Sequence, residues 1–309
     1  MISCRTRLLI RLGGCLVVTG ALAGCGAGNE RQQNSLEKDS IEALTLQTVI
    51  SRDGTKIAYD KLGSGPPVIL VNGALSDRAA SLDLARLMAG RFTAYSYDRR
   101  GRGDSGDTQP YAVEREIEDI EALIEHAGGA AYLVGFSSGA ALALEAASIL
   151  GPKIRKLAVY EAPYDEAAGA ADKWKSYRAE QVDLLAGGRR GDAVLHHMKF
   201  VGVPDAVVAE MKASPAWAGM EALAATLPYD VAVVGNDRSV PVERVAKVLA
   251  DALVIDGGAS RETMPFMRTS ADRIAQAIPN AQRRTIDGQG HNVSPGAIAP
   301  VLIEFFSAK

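Results

Sequence analysis

The sequence predicts an α/β fold, a mostly parallel sheet flanked by helices on both faces with a helical cap insertion. Three observations carry that prediction. From about residue 46, short apolar runs alternate with helical patterns, as they do when each strand is followed by a crossover helix. The alternation stops between Pro163 and Pro228, where helical segments succeed one another without a strand. Ahead of that break, Gly135-Phe136-Ser137-Ser138-Gly139 follows the apolar run Ala130 to Val134 and opens the alanine-rich run Ala140 to Leu150. A strand, a sharp turn and a helix are therefore read in succession.

The N-terminus is set apart from the fold. Arg5, Arg7 and Arg11 precede an apolar segment, Leu12 to Ala23, which is too short for a membrane span and built like a secretory signal. Leu22-Ala23-Gly24-Cys25 resembles the lipobox of bacterial lipoproteins, which implies cleavage after Gly24 and acylation of the Cys25 thiol. The alternative is an ordinary cleavage site with a small residue beside it. Residues 1–24 are thus expected to be a lipoprotein signal peptide, 25–43 a flexible tether and 44–309 the globular domain. The polar stretch Gly26 to Ser40 lacks apolar periodicity, as a tether should. All three cysteines, Cys4, Cys15 and Cys25, lie within or at the end of the signal, so the domain offers neither a disulfide nor a thiolate ligand. By this resemblance the protein is exported and anchored to a membrane on its periplasmic or cell-surface face. Each buried CH₂ contributes about 0.8 kcal/mol, so a multiply acylated cysteine holds where a single chain holds only marginally.

Within the domain, Thr45 to Ser51 and Lys56 to Asp60 flank Asp53-Gly54, a hairpin signal, and form the antiparallel entry to the sheet. Val68 to Val71, Phe92 to Tyr97, Ala130 to Val134, Lys156 to Tyr160, Ala252 to Ile255 and Ala281 to Ile286 supply the remaining strands. In the cap, spanning 163–228, the segments Lys173 to Leu185, Asp192 to Phe200 and Asp205 to Lys212 read as helices. Ligands bind beyond the carboxyl ends of the strands in open α/β sheets, so a cap over that edge shapes a pocket. Of its bulky apolar residues, Trp174, Tyr177, Met198, Phe200, Met211, Trp217 and Met220, about a third are expected to line the pocket and the rest to pack the core.

A serine between two glycines at this spacing can occupy a strained turn with its hydroxyl projecting, because Gly135 and Gly139 remove side chains that would clash with strand and helix. The following helix aims its first N–H groups at charge developing there, which makes the Ser138 N–H a candidate oxyanion donor. Toward the C-terminus, Gly288-Gln289-Gly290-His291 follows the strand ending at Ile286 and precedes a last helix, Ala297 to Ser307, a position suited to a general base. Nucleophile first, base after the last strand, is an order unlike that of chymotrypsin or subtilisin.

On these residues the chain resembles the α/β-hydrolase superfamily over nearly all of 44–309. Val68-Ile69-Leu70-Val71-Asn72-Gly73-Ala74 is similar to the third strand and its following loop, with Asn72 where many relatives carry His. Tyr97-Asp98-Arg99-Arg100-Gly101-Arg102-Gly103-Asp104-Ser105 is similar to the D-x-R-G-x-G-x-S segment after the fourth strand. The resemblance implies a serine hydrolase with Ser137 as nucleophile, His291 as base, and the backbone N–H of Ala74 joining that of Ser138 in the oxyanion hole. Asn72 leaves that hole intact because the donor is backbone.

The acid partner of His291 departs from the commonest pattern. Most relatives place it shortly after the seventh strand, where this chain has Ser260. Some members carry it at the end of the sixth strand, and here Leu157-Ala158-Val159-Tyr160-Glu161 offers Glu161, at the same sheet edge as Ser137. Asp256 and Asp230 are the alternatives.

The expected activity is hydrolysis of a small or medium, largely uncharged carboxylic ester through an acyl-enzyme on Ser137. The same residues support cofactor-free perhydrolase, haloperoxidase-type or lactonase activity, and a non-catalytic membrane-tethered binding protein of this fold is a further alternative. Dehalogenase and epoxide hydrolase chemistry is disfavoured, since those relatives carry Asp in place of Ser137. No cofactor or metal is required. His196 and His197 are adjacent on a helix and diverge by about 100°, so they do not chelate one ion together. His126 ends the helix before the fifth strand and is placed to meet that helix's last carbonyls. A formal net charge of −3 without a basic stripe argues against nucleic acid as a partner. The remaining partners are a small ester and, through Cys25, a membrane; the sequence sets no oligomeric state.

Overall fold

Side chains alternate across a strand, so a strand buried on both faces must feed two cores at once. The computed structural model describes residues 46–308, and its sheet is built that way. The expected signal peptide, tether and Cys25 lie outside the described residues. The strands are β1 (Gln47–Ile50), β2 (Lys56–Leu62), β3 (Pro67–Val71), β4 (Thr93–Tyr97), β5 (Ala131–Phe136), β6 (Ile154–Tyr160), β7 (Asp251–Gly257) and β8 (Ala281–Ile286). They form one sheet in the order β1-β2-β4-β3-β5-β6-β7-β8. β2 runs antiparallel to both β1 and β4, and every other pairing is parallel. The Asp53-Gly54 turn closes the β1–β2 hairpin, with Gly54 N–H donating to the Ser51 carbonyl at 2.9 Å.

The helices are α1 (Leu82–Met88), α2 (Val113–His126), α3 (Ser138–Leu150), α4 (Ala170–Ala186), α5 (Arg190–Phe200) and α6 (Asp205–Ala213), then α7 (Ala216–Leu223), α8 (Leu227–Val234), α9 (Val242–Val245), α10 (Ser260–Thr263), α11 (Phe266–Ala277) and α12 (Pro295–Ser307). On one face Ile69, Val71, Leu133 and Val159 pack with Ile120 and Leu123 of α2, the alanines of α3 and Ile274 of α11. On the other, Val68, Leu70, Val134 and Ile255 pack with Leu84 and Met88 of α1 and Leu302 and Phe306 of α12. The alternation 68/70 against 69/71 is the period-two pattern in one strand. No helix among the described residues is long and apolar enough to cross a membrane.

Between β6 and β7 the helices α4 to α9 follow one another without a strand. The helical run passes the expected limit at Pro228, through α8 to Val234 and on to α9, because Pro228 sits in the first turn of α8, where a missing N–H forfeits no intrahelical bond. His126 also differs from expectation. Its Nε2 lies 2.7 Å from the Tyr59 hydroxyl of β2, and this side-chain partner across the core edge engages the ring in place of the carbonyls of α2.

α3 is buried from Ser138 through Ala147, and its small residues Gly139, Ala140 and Ala143 let it lie close against Gly135 of β5. A methyl group on Gly139 would collide with the carbonyl oxygens of Val71 and Asn72. Gly139→Ala is therefore expected to lower stability by about 3 kcal/mol or more, as overpacking against backbone does. Gly219→Ala provides the contrast: this residue is exposed in α7 with no neighbour within 4 Å of an added Cβ. It should gain about 0.8–1 kcal/mol from helix propensity. Urea denaturation midpoints of the two variants measure both.

Candidate active site

β5 ends at Phe136 and α3 begins at Ser138, leaving Ser137 alone to make the turn. Its backbone is forced to φ 53° and ψ −125°, a left-handed conformation costly for a residue with a Cβ. The strain is held by hydrogen bonds: Ser137 N–H donates to the Tyr160 carbonyl (3.0 Å), and the Ser137 carbonyl accepts from Ala140 N–H (2.9 Å). The hydroxyl projects to His291, with Oγ 3.1 Å from Nε2.

His291 sits in the loop after β8. Tyr160 fixes that loop by donating its hydroxyl proton to the Gly290 carbonyl at 2.5 Å. The other ring nitrogen of His291, Nδ1, lies 2.7 Å from Glu161 Oε2. Glu161 follows β6 directly, with φ 48°, and its side chain is fully buried. Its second oxygen, Oε1, accepts the Gly257 N–H at 2.8 Å, so both carboxylate oxygens are engaged. A carboxylate only accepts, so Nδ1 carries a proton and Nε2 offers its lone pair to the Ser137 hydroxyl.

The other two acid candidates face elsewhere. Asp256 Oδ1 accepts from Arg283 Nη1 (2.9 Å) and Thr285 Oγ1 (2.6 Å). Asp230 is taken up by arginines, as described below. Ser260, at the position where most relatives would carry the acid, is buried in α10.

Ala74 and Ser138 line the same cavity as Ser137. Ser138 opens α3, so its N–H has no intrahelical acceptor, and neither it nor the Ala74 N–H donates to another backbone carbonyl among the described residues. Both segments are tied to one buried ion cluster. Arg102 Nη1 donates to the Gly73 carbonyl (2.6 Å) and Arg99 Nη1 to the Asn72 carbonyl (3.3 Å). Asp230 of α8 accepts from Arg99 Nη1 (2.7 Å), Arg102 Nη2 (2.9 Å) and the Ser138 hydroxyl (2.8 Å). Arg99 is closed on its other edge by Glu116, through bonds of 2.7 Å from Nε and from Nη2. Burial draws the Asp230 carboxyl upward, but the Arg102 and Arg99 charges and the Ser138 hydroxyl outweigh it and hold its pKa down at about 2.

This cluster was missed by reading the sequence. The signal was present in Arg99-Arg100-Gly101-Arg102: three guanidinium groups immediately after a buried strand require buried anions to meet them.

A cavity of about 670 Å³ opens above Ser137 and His291 between the sheet edge and the cap. Trp174, Tyr177, Met198, Phe200, Met211 and Met220 all line it, twice or more the expected share, and only Trp217 of the seven turns away. Trp217 packs in the cap's own core and donates its indole N–H to Glu221 at 2.8 Å. Met198, Met211 and Met220 also pack against that core, and Trp174 and Tyr177 against Phe200, so these side chains reach the cavity from the rim of the cap's own packing. His197 also lines the cavity, whereas the neighbouring His196 is directed to Glu180 at 3.6 Å. Among the described residues no group of three or more His, Cys, Asp or Glu is arranged to hold a metal ion.

Asp230→Asn should cost about 3–5 kcal/mol at neutral pH, because the buried group of Arg99, Arg102 and Glu116 is left with one uncompensated positive charge. The Asp230 pKa in the folded state lies below the unfolded value of about 3.9, so the folded state binds fewer protons there. Its contribution is thus present above about pH 4 and is lost as pH falls toward about 2. Denaturation of wild type and variant across that range should show the difference between them shrinking with acid.

A family profile described as the Alpha/beta hydrolase family matches residues 68–300. Among solved structures, an alpha/beta hydrolase from Sphaerobacter thermophilus DSM 20745 is 53% identical, with a TM-score of 0.78 over 84% of this chain and 100% of that one. The enol-lactonase from Burkholderia xenovorans LB400 shares the fold at 20% identity, with a TM-score of 0.62 over 85% of this chain and 100% of that one. The uncharacterized hydrolase YraK of Bacillus subtilis (strain 168) is 34% identical over 96 residues, 30% of this chain. That match spans 35% of the length of YraK. With the profile running through most of the described domain and a 53% identical chain superposing on it, the chain belongs to the alpha/beta hydrolase family.

Proposed function

We propose that the protein is a carboxylic ester hydrolase working through an acyl-enzyme on Ser137. The observation that carries this reading is the hydrogen-bond relay Ser137 Oγ to His291 Nε2 (3.1 Å) and His291 Nδ1 to Glu161 Oε2 (2.7 Å), at the floor of a largely apolar cavity. Ser137 Oγ attacks the ester carbonyl while His291 Nε2 takes its proton. Glu161 holds the ring in the required tautomer and stabilises the imidazolium. The oxyanion of the tetrahedral intermediate is received by the N–H groups of Ser138 and Ala74, each worth about 2.7–4 kcal/mol in the transition state. Collapse expels the alcohol, protonated by His291, and a water activated by the same ring then releases the acid. The cavity's size and apolar wall suit a small or medium, largely uncharged ester.

Ser137→Ala is expected to abolish both p-nitrophenyl ester turnover and labelling by a fluorophosphonate probe, with the fold kept. Glu161→Gln should lower kcat by about 10⁴-fold, as neutralising a triad acid does, while Asp256→Asn stays near wild type. Reversed outcomes for those two variants would move the acid to Asp256.

We also propose that the mature chain begins at an acylated Cys25 and resides on a membrane, a reading supported by the Arg-flanked apolar segment and Leu22-Ala23-Gly24-Cys25. Wild type should partition with membranes and incorporate labelled fatty acid, and Cys25→Ser should lose the label and be either released or blocked in maturation. Unmodified wild-type protein in the soluble fraction would refute it.

A further inference from the structure

The cap carries a polar relay that the ester chemistry leaves unused. Gln181 of α4 and His197 of α5 both reach the hydroxyl of Tyr177. Gln181 Nε2 lies 3.0 Å from the Ala193 carbonyl, which can only accept, so the nitrogen end of the amide is fixed there. The same nitrogen donates to the Tyr177 oxygen at 3.2 Å. Tyr177 therefore has its own proton to give, and the acceptor within reach is His197 Nδ1 at 2.7 Å. Were Nδ1 protonated instead, the buried phenol proton would have no acceptor, at a cost of about 1–3 kcal/mol. Burial keeps the imidazole uncharged, with its pKa lowered to about 4. A neutral ring that accepts at Nδ1 carries its proton on Nε2.

That Nε2 has no hydrogen-bond partner among the described residues, and the partly exposed ring lines the cavity containing Ser137 and His291. The charged groups on the wall are engaged. Asp230 is held by its arginines. Arg238 donates Nε to the Pro163 carbonyl (2.6 Å), faces Asp165 at 3.7 Å, and lies over the rings of Phe266, Phe200 and Trp174 at 4.5, 5.2 and 5.5 Å.

We infer that the Nε2–H of His197 is a substrate-recognition donor, selecting esters that carry a second, uncharged acceptor oxygen, a keto or hydroxyl group, apart from the scissile carbonyl. This rests on the ester-hydrolase reading above. An uncharged donor in an apolar wall discriminates against an analogue lacking its acceptor, because the donor is then desolvated without a partner. It does not supply the charge that a carboxylate would need on leaving water.

The test is kcat/KM of the full chain, followed by pH-stat, for methyl butanoate against methyl 3-oxobutanoate and methyl 3-hydroxybutanoate, and for methyl pentanoate against methyl 4-oxopentanoate. Intrinsic reactivity cancels when the oxygenated-to-plain ratio is compared between wild type and variant. That ratio should fall about tenfold in His197→Leu for at least one pair, the size of one net hydrogen bond, and fall less in Tyr177→Phe. Nitrogen-15 histidine NMR of the unmutated protein should show His197 in the Nε2-protonated tautomer, a readout that needs no variant to fold. An unchanged ratio with plain esters still hydrolysed overturns this inference alone, as does the Nδ1-protonated tautomer. A preference for monomethyl succinate that survives in His197→Leu also overturns it and assigns recognition to Arg238. If no ester is turned over, the hydrolase reading fails and this one with it.

Discussion

The surroundings of Ser137 depend on one buried carboxylate. Asp230 comes from the cap, yet it binds the two arginines that grip the carbonyls of Asn72 and Gly73 and the side chain of Ser138. One anion thus joins the cap, the loop after β3 and the start of α3. Two arginines facing Asp230 and Glu116 make the group neutral as a whole. Such a cluster need not outdo an apolar core in stability, since desolvation offsets much of the attraction. Its value lies in direction: planar guanidinium forks accept few arrangements, so the carbonyls they hold, and the N–H groups on the other side of the same peptide units, are fixed in place.

Ser137 and Glu161 share a second constraint. Both are non-glycine residues with positive φ, and both follow directly on strands paired through Phe136 and Tyr160. The ladder continues past the strand ends, with Ser137 N–H on Tyr160 and Glu161 N–H on the Ile255 carbonyl at 3.0 Å each. Local strain of order 1–3 kcal/mol per residue persists only where neighbours over-determine it, and here the sheet does so.

The strands, their order of appearance and the α3 turn were legible because each is written locally: apolar runs of strand length, Gly135 and Gly139 around a serine, alanines where the helix must come close. The contact of Glu161 with His291 was legible indirectly, through Ser260 at the place an acid would normally hold. Long-range partnerships were not. Arg99 and Asp230 are 131 positions apart, and nothing in either neighbourhood names the other. In the cap, Trp174, Tyr177, Gln181 and Leu184 repeat with helical spacing and are buried, so pattern alone marks them as core. Part of that face meets a cavity instead, a distinction that periodicity does not contain. The helix α8 was lost for a different reason, since proline reads as a stop unless its place in the first turn is known.

Tyr160 bears on all three members of the relay. Its carbonyl holds the backbone of Ser137, its hydroxyl holds the carbonyl preceding His291, and its own peptide bond leads into Glu161. Ser137, His291 and Glu161 therefore share one anchor at the end of β6, so a shift there is passed to all three together. The internal frame of reference for the three side chains is thus a single tyrosine and the two peptide groups beside it.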